Sequence, residues 1–328
     1  MHPSPNWHLL GLVRFFLAMV VLGTHFAYFT ADRSWWITLT HDLGGKAAVL
    51  GFLLVSGYSI AASLAAMPKG FYRRRLLRIY PLYISAVLLT LTVELWSHGH
   101  VDAYDRHFEA LGWKATVGNV FLLQTFVVKP MAFNTPLWSL AVEVFFYLCA
   151  PLFVKLPARW LLAIVAVSMA CFMLPQHEDW GTAYWVLSKL NALRYMWAWL
   201  LGFMLWHHRD QRLALITLGC SVVVLFHEHT PERLSIVTYL IAAISVMVAR
   251  QVPKTWLQLP GVGFLGDVSY PLYLFHYPVL IGAYFDGIRS TPALLGWVVG
   301  VTVIALFTID HGLKRLWLAP LLSRPRQA

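Results

Sequence analysis

The feature that most constrains this chain is a succession of apolar stretches, each about as long as a bilayer is thick. They fall near residues 8–28, 44–66, 79–97, 136–155, 159–175, 188–206, 213–228, 234–250, 265–285 and 292–310, with short charged loops between them. A spanning helix needs ~20 mostly apolar residues, and a soluble fold has no use for so much apolar surface. Composition agrees: the 328 residues are 59% hydrophobic and 12% charged, against ~45–50% and ~25% in soluble domains. The expected fold is an all-α, polytopic integral membrane bundle of about ten transmembrane helices. Residues 1–328 are expected to form a single membrane domain whose first partner is the lipid bilayer.

A formal charge of +10 could suggest nucleic acid. The basic residues sit in short loops between apolar spans, however, where positive charge is a topology signal, so no nucleic-acid partner is expected. An eleventh apolar piece, 115–128, is short and carries Asn119 and Gln124. If it does not cross, loops on the N-terminal side of the membrane hold fifteen basic residues and loops on the other side hold six. The first set includes Lys69, Arg73, Arg74, Arg75, Arg78, Arg209, Arg324 and Arg326; the second includes Arg33, Arg106, Lys114 and Lys129. If the piece does cross, every later loop flips and the bias largely disappears. The expectation is therefore that both termini are cytoplasmic, with one re-entrant or interfacial helix near 115–128 inside the external segment 98–135. The first span has no convincing small-residue cleavage site and reads as a retained helix rather than a signal peptide. Cys149, Cys171 and Cys220 lie in apolar spans and imply no disulfide framework.

An ionisable side chain in hydrocarbon costs roughly 2.5–3.5 kcal/mol on insertion scales and is a functional candidate by default. Four groups qualify. Arg14 and His25 are eleven residues apart, so they share one helix face, ~16 Å apart along the axis. Arg14 could hold an anionic or carbonyl group and His25 could act as a general base; the competing reading is a snorkelling arginine and a packing histidine. Ser139, Glu143 and Tyr147 follow at i, i+4, i+8 and form one polar stripe on an inward-running helix. Helix counting puts Glu143 at the depth of His25, where a carboxylate could orient the imidazole; otherwise it is a structural, hydrogen-bonded glutamate. Arg74, Arg75 and Arg78 in GFYRRRLLRIYP suit bidentate recognition of phosphate or simple topological anchoring. Ser269, Tyr273 and His276 share another face and could line the same cavity, although a packing role serves His276 equally well. The remaining histidines lack the carboxylate or cysteine spacing of a metal site, and no metal is expected. A nucleophile elbow and a P-loop are both missing from the sequence.

Taken together and in order, these stretches resemble the membrane-bound acyltransferase family 3, bacterial O-acyltransferases of envelope and exported polysaccharides. The residues that carry the resemblance are Arg14 with His25, Ser56-Gly57-Tyr58, the run from Arg75 through Arg78 to Pro81, Trp138-Ser139-Leu140 with Glu143 and Phe146-Tyr147, and Ser269-Tyr270 with Tyr273 and His276. Lys46 and Leu53 stand where similar proteins more often carry an apolar residue and a second Phe. With no esterase-like domain after residue 310, the chain looks like a stand-alone form. The resemblance implies ten helices, a location in the bacterial inner membrane, and an acyl-CoA donor met by the arginine run. It also implies a catalytic centre at the helix 1 pair.

The combined expectation is an enzyme, a transmembrane O-acyltransferase. It would move an acetyl or related acyl group from cytoplasmic acetyl-CoA to a hydroxyl of an extracytoplasmic glycan or glycolipid. His25 and Glu143 with Arg14 form the expected catalytic group. Arg74, Arg75, Arg78 and Arg14 would bind the donor, and Trp138, Ser139, Tyr147, Ser269, Tyr273 and His276 the substrate. Two other classes fit the same charges: a proton-coupled transporter, and a non-catalytic subunit of a polysaccharide assembly machine.

Overall fold

The structure is a computed structural model that describes residues 4–32, 34–104, 106–174, 190–207, 211–227 and 233–318. The edges of the expected spans 159–175, 188–206 and 213–228 lie outside the described residues. So do Arg33, Arg209, Arg324 and Arg326 and both chain ends.

Among the described residues the chain is a helical bundle with one two-stranded hairpin. In order it forms α1 (Trp7–Phe26), α2 (Trp35–Leu43), α3 (Gly45–Ala66), α4 (Phe71–Trp96), β1 (His100–Asp102), β2 (His107–Glu109), α5 (Trp113–Val120), a 3-10 turn (Ala132–Leu137) and α6 (Trp138–Phe153). There follow α7 (Ala158–Met173), α8 (Asn191–His207), α9 (Gln211–His227), α10 (Ser235–Val248), a 3-10 turn (Lys254–Leu257), α11 (Pro260–Phe285), α12 (Thr291–Ala305) and a π-helical stretch (Leu306–Leu318). Among the described residues five helices are long and apolar enough to cross a bilayer: Trp7–Phe26, Gly45–Ala66, Phe71–Trp96, Ala132–Phe153 and Thr291–Gly312. Three shorter apolar helices accompany them. Leu88, Leu148, Leu152, Ile216, Ile244 and Ile304 are exposed on the outer faces, as expected where the surrounding solvent is lipid.

Helices α3 and α8 make the most extensive contact, followed by α1 and α11. Glycine explains both. A Cβ on Gly57 would lie 1.9 Å from the Trp199 carbonyl oxygen, and one on Gly202 would lie 1.9 Å from that of Leu54. A Cβ on Gly11 would come 3.3 Å from the Gly266 Cα. Without a driving force to leave water, membrane helices gain by close backbone approach, which small residues permit. The fully buried Trp197 and Trp199 sit in the same large apolar cluster. A second cluster caps the His25 end of α1, where the hairpin inserts Phe108 among Phe29, Phe133 and Tyr277. On the hairpin's exposed edge, His107 and His100 reach Asp102 at 2.5 and 3.0 Å, and these hydrogen bonds hold its carboxyl below its usual range.

Two expected boundaries move, and two elements appear that were not expected. The arginine run is the opening of α4 rather than a loop before residue 79, because arginine is a good helix former and helicity does not stop where apolarity does. Of the expected 115–128 helix only residues 115–120 are helical, as part of α5. Beyond them Leu122 and Thr125 take positive φ of 59° and 69°, and the chain turns. Asn119 and Gln124 are fully buried clamps: Asn119 donates to the Ala115 and Lys129 carbonyls at 2.8 and 2.9 Å, and Gln124 to that of Leu137 at 3.0 Å. Finally, α2 and the hairpin fill regions that carried no sequence signal of their own.

Gly57→Ala or Gly202→Ala is expected to force α3 and α8 apart, destabilising the fold by at least about 1–3 kcal/mol. Gly296→Ala, where nothing lies within 4 Å of the added Cβ, is expected to be tolerated. Thermal unfolding in detergent compares the three variants.

Candidate active site

The polar stripe of α6 shares one face, and partners on two other helices take it up. Ser139 Oγ lies 2.6 Å from the Tyr273 hydroxyl of α11, which donates to the Pro136 carbonyl at 2.9 Å. Glu143 accepts hydrogen bonds from the Ser56 hydroxyl of α3 and, at 2.5 Å, from Tyr147. Ser56 Oγ and the Tyr147 oxygen are 3.2 Å apart. A serine, a glutamate and a tyrosine thus close a small network between α3 and α6.

This network borders a cavity of about 1180 Å³ among α1, α3, α4, α6 and α11. Arg14, Arg74, Arg75 and Arg78 line it, together with Glu143, Asp267 and Asp310. Ser139, Tyr147, Ser269, Tyr270 and Tyr273 also line it. The arginines are not equivalent. Arg74 folds back on the loop before α4, donating to the Lys69 carbonyl at 2.6 Å and to that of Met67. Arg75 reaches inward to stand 6.0 Å over the Tyr147 ring and 5.8 Å over that of Phe71. Positive charge gathered in a deep, partly apolar space suits a ligand with several anionic groups and an extended arm. Among the described residues no group of three or more His, Cys, Asp or Glu is placed to hold a metal ion.

His25 belongs to a second grouping. Its Nδ1 is 2.9 Å from His276 Nε2, and the two rings meet edge to edge, 20° from coplanar with centroids 5.1 Å apart. Tyr277 meets the His25 ring edge-on at 4.8 Å and Tyr28 flanks it at 5.7 Å. Arg106 from the hairpin covers Tyr28 at 4.6 Å. The expected pairing of His25 with Glu143 is not made: the carboxylate goes to Ser56 and Tyr147, the imidazole to His276. The reason is the start of α6. The 3-10 turn before it is embedded in the bundle, with Asn134 donating to Thr90 Oγ1 and to the Leu274 carbonyl, both at 3.1 Å. Helix α6 therefore begins part-way along its neighbours rather than at the bundle's end. Glu143, five residues on, falls among the residues of the arginine cavity. Tyr273 links the two groupings: it lines the cavity, and its ring lies 6.1 Å from that of His276.

Of the remaining expected site residues, Ser269 faces the cavity and donates to the Gly266 carbonyl at 2.7 Å. Trp138 instead packs on Tyr195 of α8 at 4.8 Å. Two contributors escaped sequence reasoning. Ser56 stood out only as part of a family resemblance. Asn134 was signalled indirectly by Pro278, which has no N–H to give the Leu274 carbonyl four residues earlier; Asn134 supplies the missing donor.

A multi-helix membrane bundle with a cationic cavity beside a histidine pair defines the class of protein, and similarity defines the family. Residues 7–310 match the acyltransferase domain family (acyltransferase family 3), and the chain belongs to it. It is similar to the acyltransferase MdmB of Streptomyces mycarofaciens, 32% identical over 50% of this chain and 44% of that protein. Nodulation protein 10 of Rhizobium leguminosarum bv. viciae is 21% identical over 90% of this chain and 87% of its own length. The O-acetyltransferase OatA of Staphylococcus aureus is 26% identical over 73% of this chain and 46% of that protein. The chain thus spans less than half the length of two of these relatives. No solved structure matches. With its long apolar helices and bacterial relatives, this is a multi-pass protein of the bacterial inner (plasma) membrane.

Glu143→Ala leaves the Ser56 and Tyr147 hydroxyls without their acceptor, a loss of roughly 1–3 kcal/mol for each orphaned group. Ser56→Ala is expected to cost less, since Tyr147 still serves the carboxylate. Unfolding midpoints of the two variants in the same detergent check the order.

Proposed function

We propose that this chain is an acyl-CoA-dependent O-acyltransferase in which residues 1–328 act as a single membrane domain. It carries an acetyl or related acyl group across the membrane to a hydroxyl of an extracytoplasmic glycan or glycolipid. The observation that carries this reading is the cavity of about 1180 Å³, lined by four arginines and walled at one side by Tyr273, next to the His25–His276 pair. Family membership and the acyltransferase and O-acetyltransferase names of two relatives support it.

In this reading ten helices cross the membrane with both termini in the cytoplasm, and the arginine end of the bundle faces the cytoplasm. The phosphates of acetyl-CoA meet Arg75, Arg78 and the remaining donors of Arg74. Arg14, further along α1, attracts the carbonyl-bearing arm as it enters. Tyr273 and Ser139 must yield for the thioester to reach His25. There the acceptor hydroxyl oxygen attacks the thioester carbonyl while His25 takes the hydroxyl proton. The C–S bond breaks, and the coenzyme thiolate leaves and is protonated from the imidazolium. A route in which the imidazole first carries the acyl group uses the same residues and balances the same way. Glu143 is removed from this chemistry; its role here is to hold Ser56 and Tyr147 in the donor wall and to face the arginines. Ser269 and Tyr147 contribute to the same wall, and Trp138 supports it from behind.

Purified, reconstituted protein given acetyl-CoA and a crude envelope-glycan extract is expected to release free coenzyme A. His25→Ala should lower that rate by about 10²–10⁴-fold. Full activity in His25→Ala would overturn the assignment, and no release with any of several acyl donors would overturn the enzyme reading. Replacing Arg75 and Arg78 together by Ala is expected to raise KM for acetyl-CoA about 10–100-fold, as for lost charge-assisted hydrogen bonds.

A further inference from the structure

The histidine pair contains more information than its proximity. His276 is 1% exposed, and both of its ring nitrogens are engaged. Nδ1 lies 3.0 Å from the Leu272 carbonyl and 2.9 Å from that of Tyr273. A carbonyl oxygen can only accept, so Nδ1 of His276 carries a proton. The rings around it are His25, Tyr273 and Tyr277, none of them anionic, and an imidazolium there would be a buried cation without a counterion. His276 is therefore the neutral Nδ1–H tautomer, and its Nε2 is a lone pair. That lone pair faces His25 Nδ1 at 2.9 Å, so His25 Nδ1 must be the donor. A neutral imidazole has one proton; with it committed to Nδ1, His25 Nε2 is left bare.

We propose that His276 is a positioning residue that sets the tautomer of His25, so that Nε2 of His25 is the atom that accepts the hydroxyl proton or attacks the acyl carbon. This rests on the reading of His25 as base or nucleophile. The relay runs from the Leu272 and Tyr273 carbonyls through His276 to His25. It does what the buried carboxylate does in a serine-hydrolase triad, namely fix which nitrogen is free, but with a neutral acceptor supported by the helix backbone. When His25 Nε2 gains its proton, the Nδ1–H that already points at His276 steadies the imidazolium without moving. Because the orienting bonds of His276 come from its own preceding turn, its ring is held by α11, while His25 belongs to α1. The contact between those two helices at Gly11 and Gly266 thus bears on the register of the relay.

The test is ¹⁵N-histidine NMR of the full chain in nanodiscs, with resonances assigned through His25→Ala and His276→Phe, alongside steady-state kinetics. The expected result is that wild-type His25 is the Nδ1–H tautomer and shifts toward Nε2–H in His276→Phe. That variant is expected to lose kcat by about 10²–10⁴-fold with KM for acetyl-CoA within twofold. His276→Gln, whose side-chain carbonyl can accept from His25 Nδ1, is expected to recover at least tenfold over Phe. A wild-type His25 found as Nε2–H overturns the proposal without any variant needing to fold, and so does an unchanged kcat in His276→Phe. If the tautomer is as stated but His25→Ala remains fully active, the relay stands and the catalytic reading of His25 fails.

Discussion

In hydrocarbon a hydrogen-bonding or charged side chain finds its partner inside the protein or pays the full cost of having none, and the rest of this structure follows from that demand. Ser56, Glu143 and Tyr147 answer one another across α3 and α6. His276 answers His25 on one side and its own helix backbone on the other. Asn134 answers a carbonyl that Pro278 cannot serve. Each pairing ties two elements whose apolar faces alone would leave sliding nearly free, because lipid is as good a partner as leucine. Close backbone contact at Gly57 with Gly202 and at Gly11 with Gly266 supplies the packing; the polar pairs supply the register.

The same demand divides the centre of the bundle into two chemically distinct halves. Cations sit around a cavity at one end, together with Glu143, Asp267 and Asp310. The histidine pair sits among aromatic rings at the other, beneath the hairpin that brings Arg106 and Phe108. Tyr273 and Ser139 form the wall between them. In the proposed function, a donor bound by charge and an acceptor approached through aromatic surface are handled without the two environments mixing. A single open channel lined by all these groups would hydrate the histidines and weaken every electrostatic contact in it.

Much of this was readable from residue order. The alignment of Ser139, Glu143 and Tyr147 on one face and the positions of Arg14 and His25 toward opposite ends of one helix follow from helical periodicity and hold in the structure, and among the described residues five helices are long and apolar enough to cross a bilayer. What misled was depth. Counting residues from an assumed interface placed Glu143 level with His25. The chain instead enters α6 through the embedded 3-10 turn at 132–137, and a few residues at ~1.5 Å each move a side chain from one half of the bundle to the other. The short α2 and the hairpin were invisible because neither has the length or period that patterning detects.

The sequence alone determined that the chain is a membrane helix bundle, roughly where its long apolar helices fall, and which rare polar residues hydrocarbon would not tolerate without purpose. Those are consequences of composition and local periodicity, which act within a single segment. Which polar residue meets which was decided only by the tertiary structure. Pairing across helices depends on relative depth and rotation, set by where α6 starts, where glycines let helices touch and where a proline leaves a carbonyl open. Hence His25 lies against His276 and Glu143 against Ser56, a choice no single segment contains.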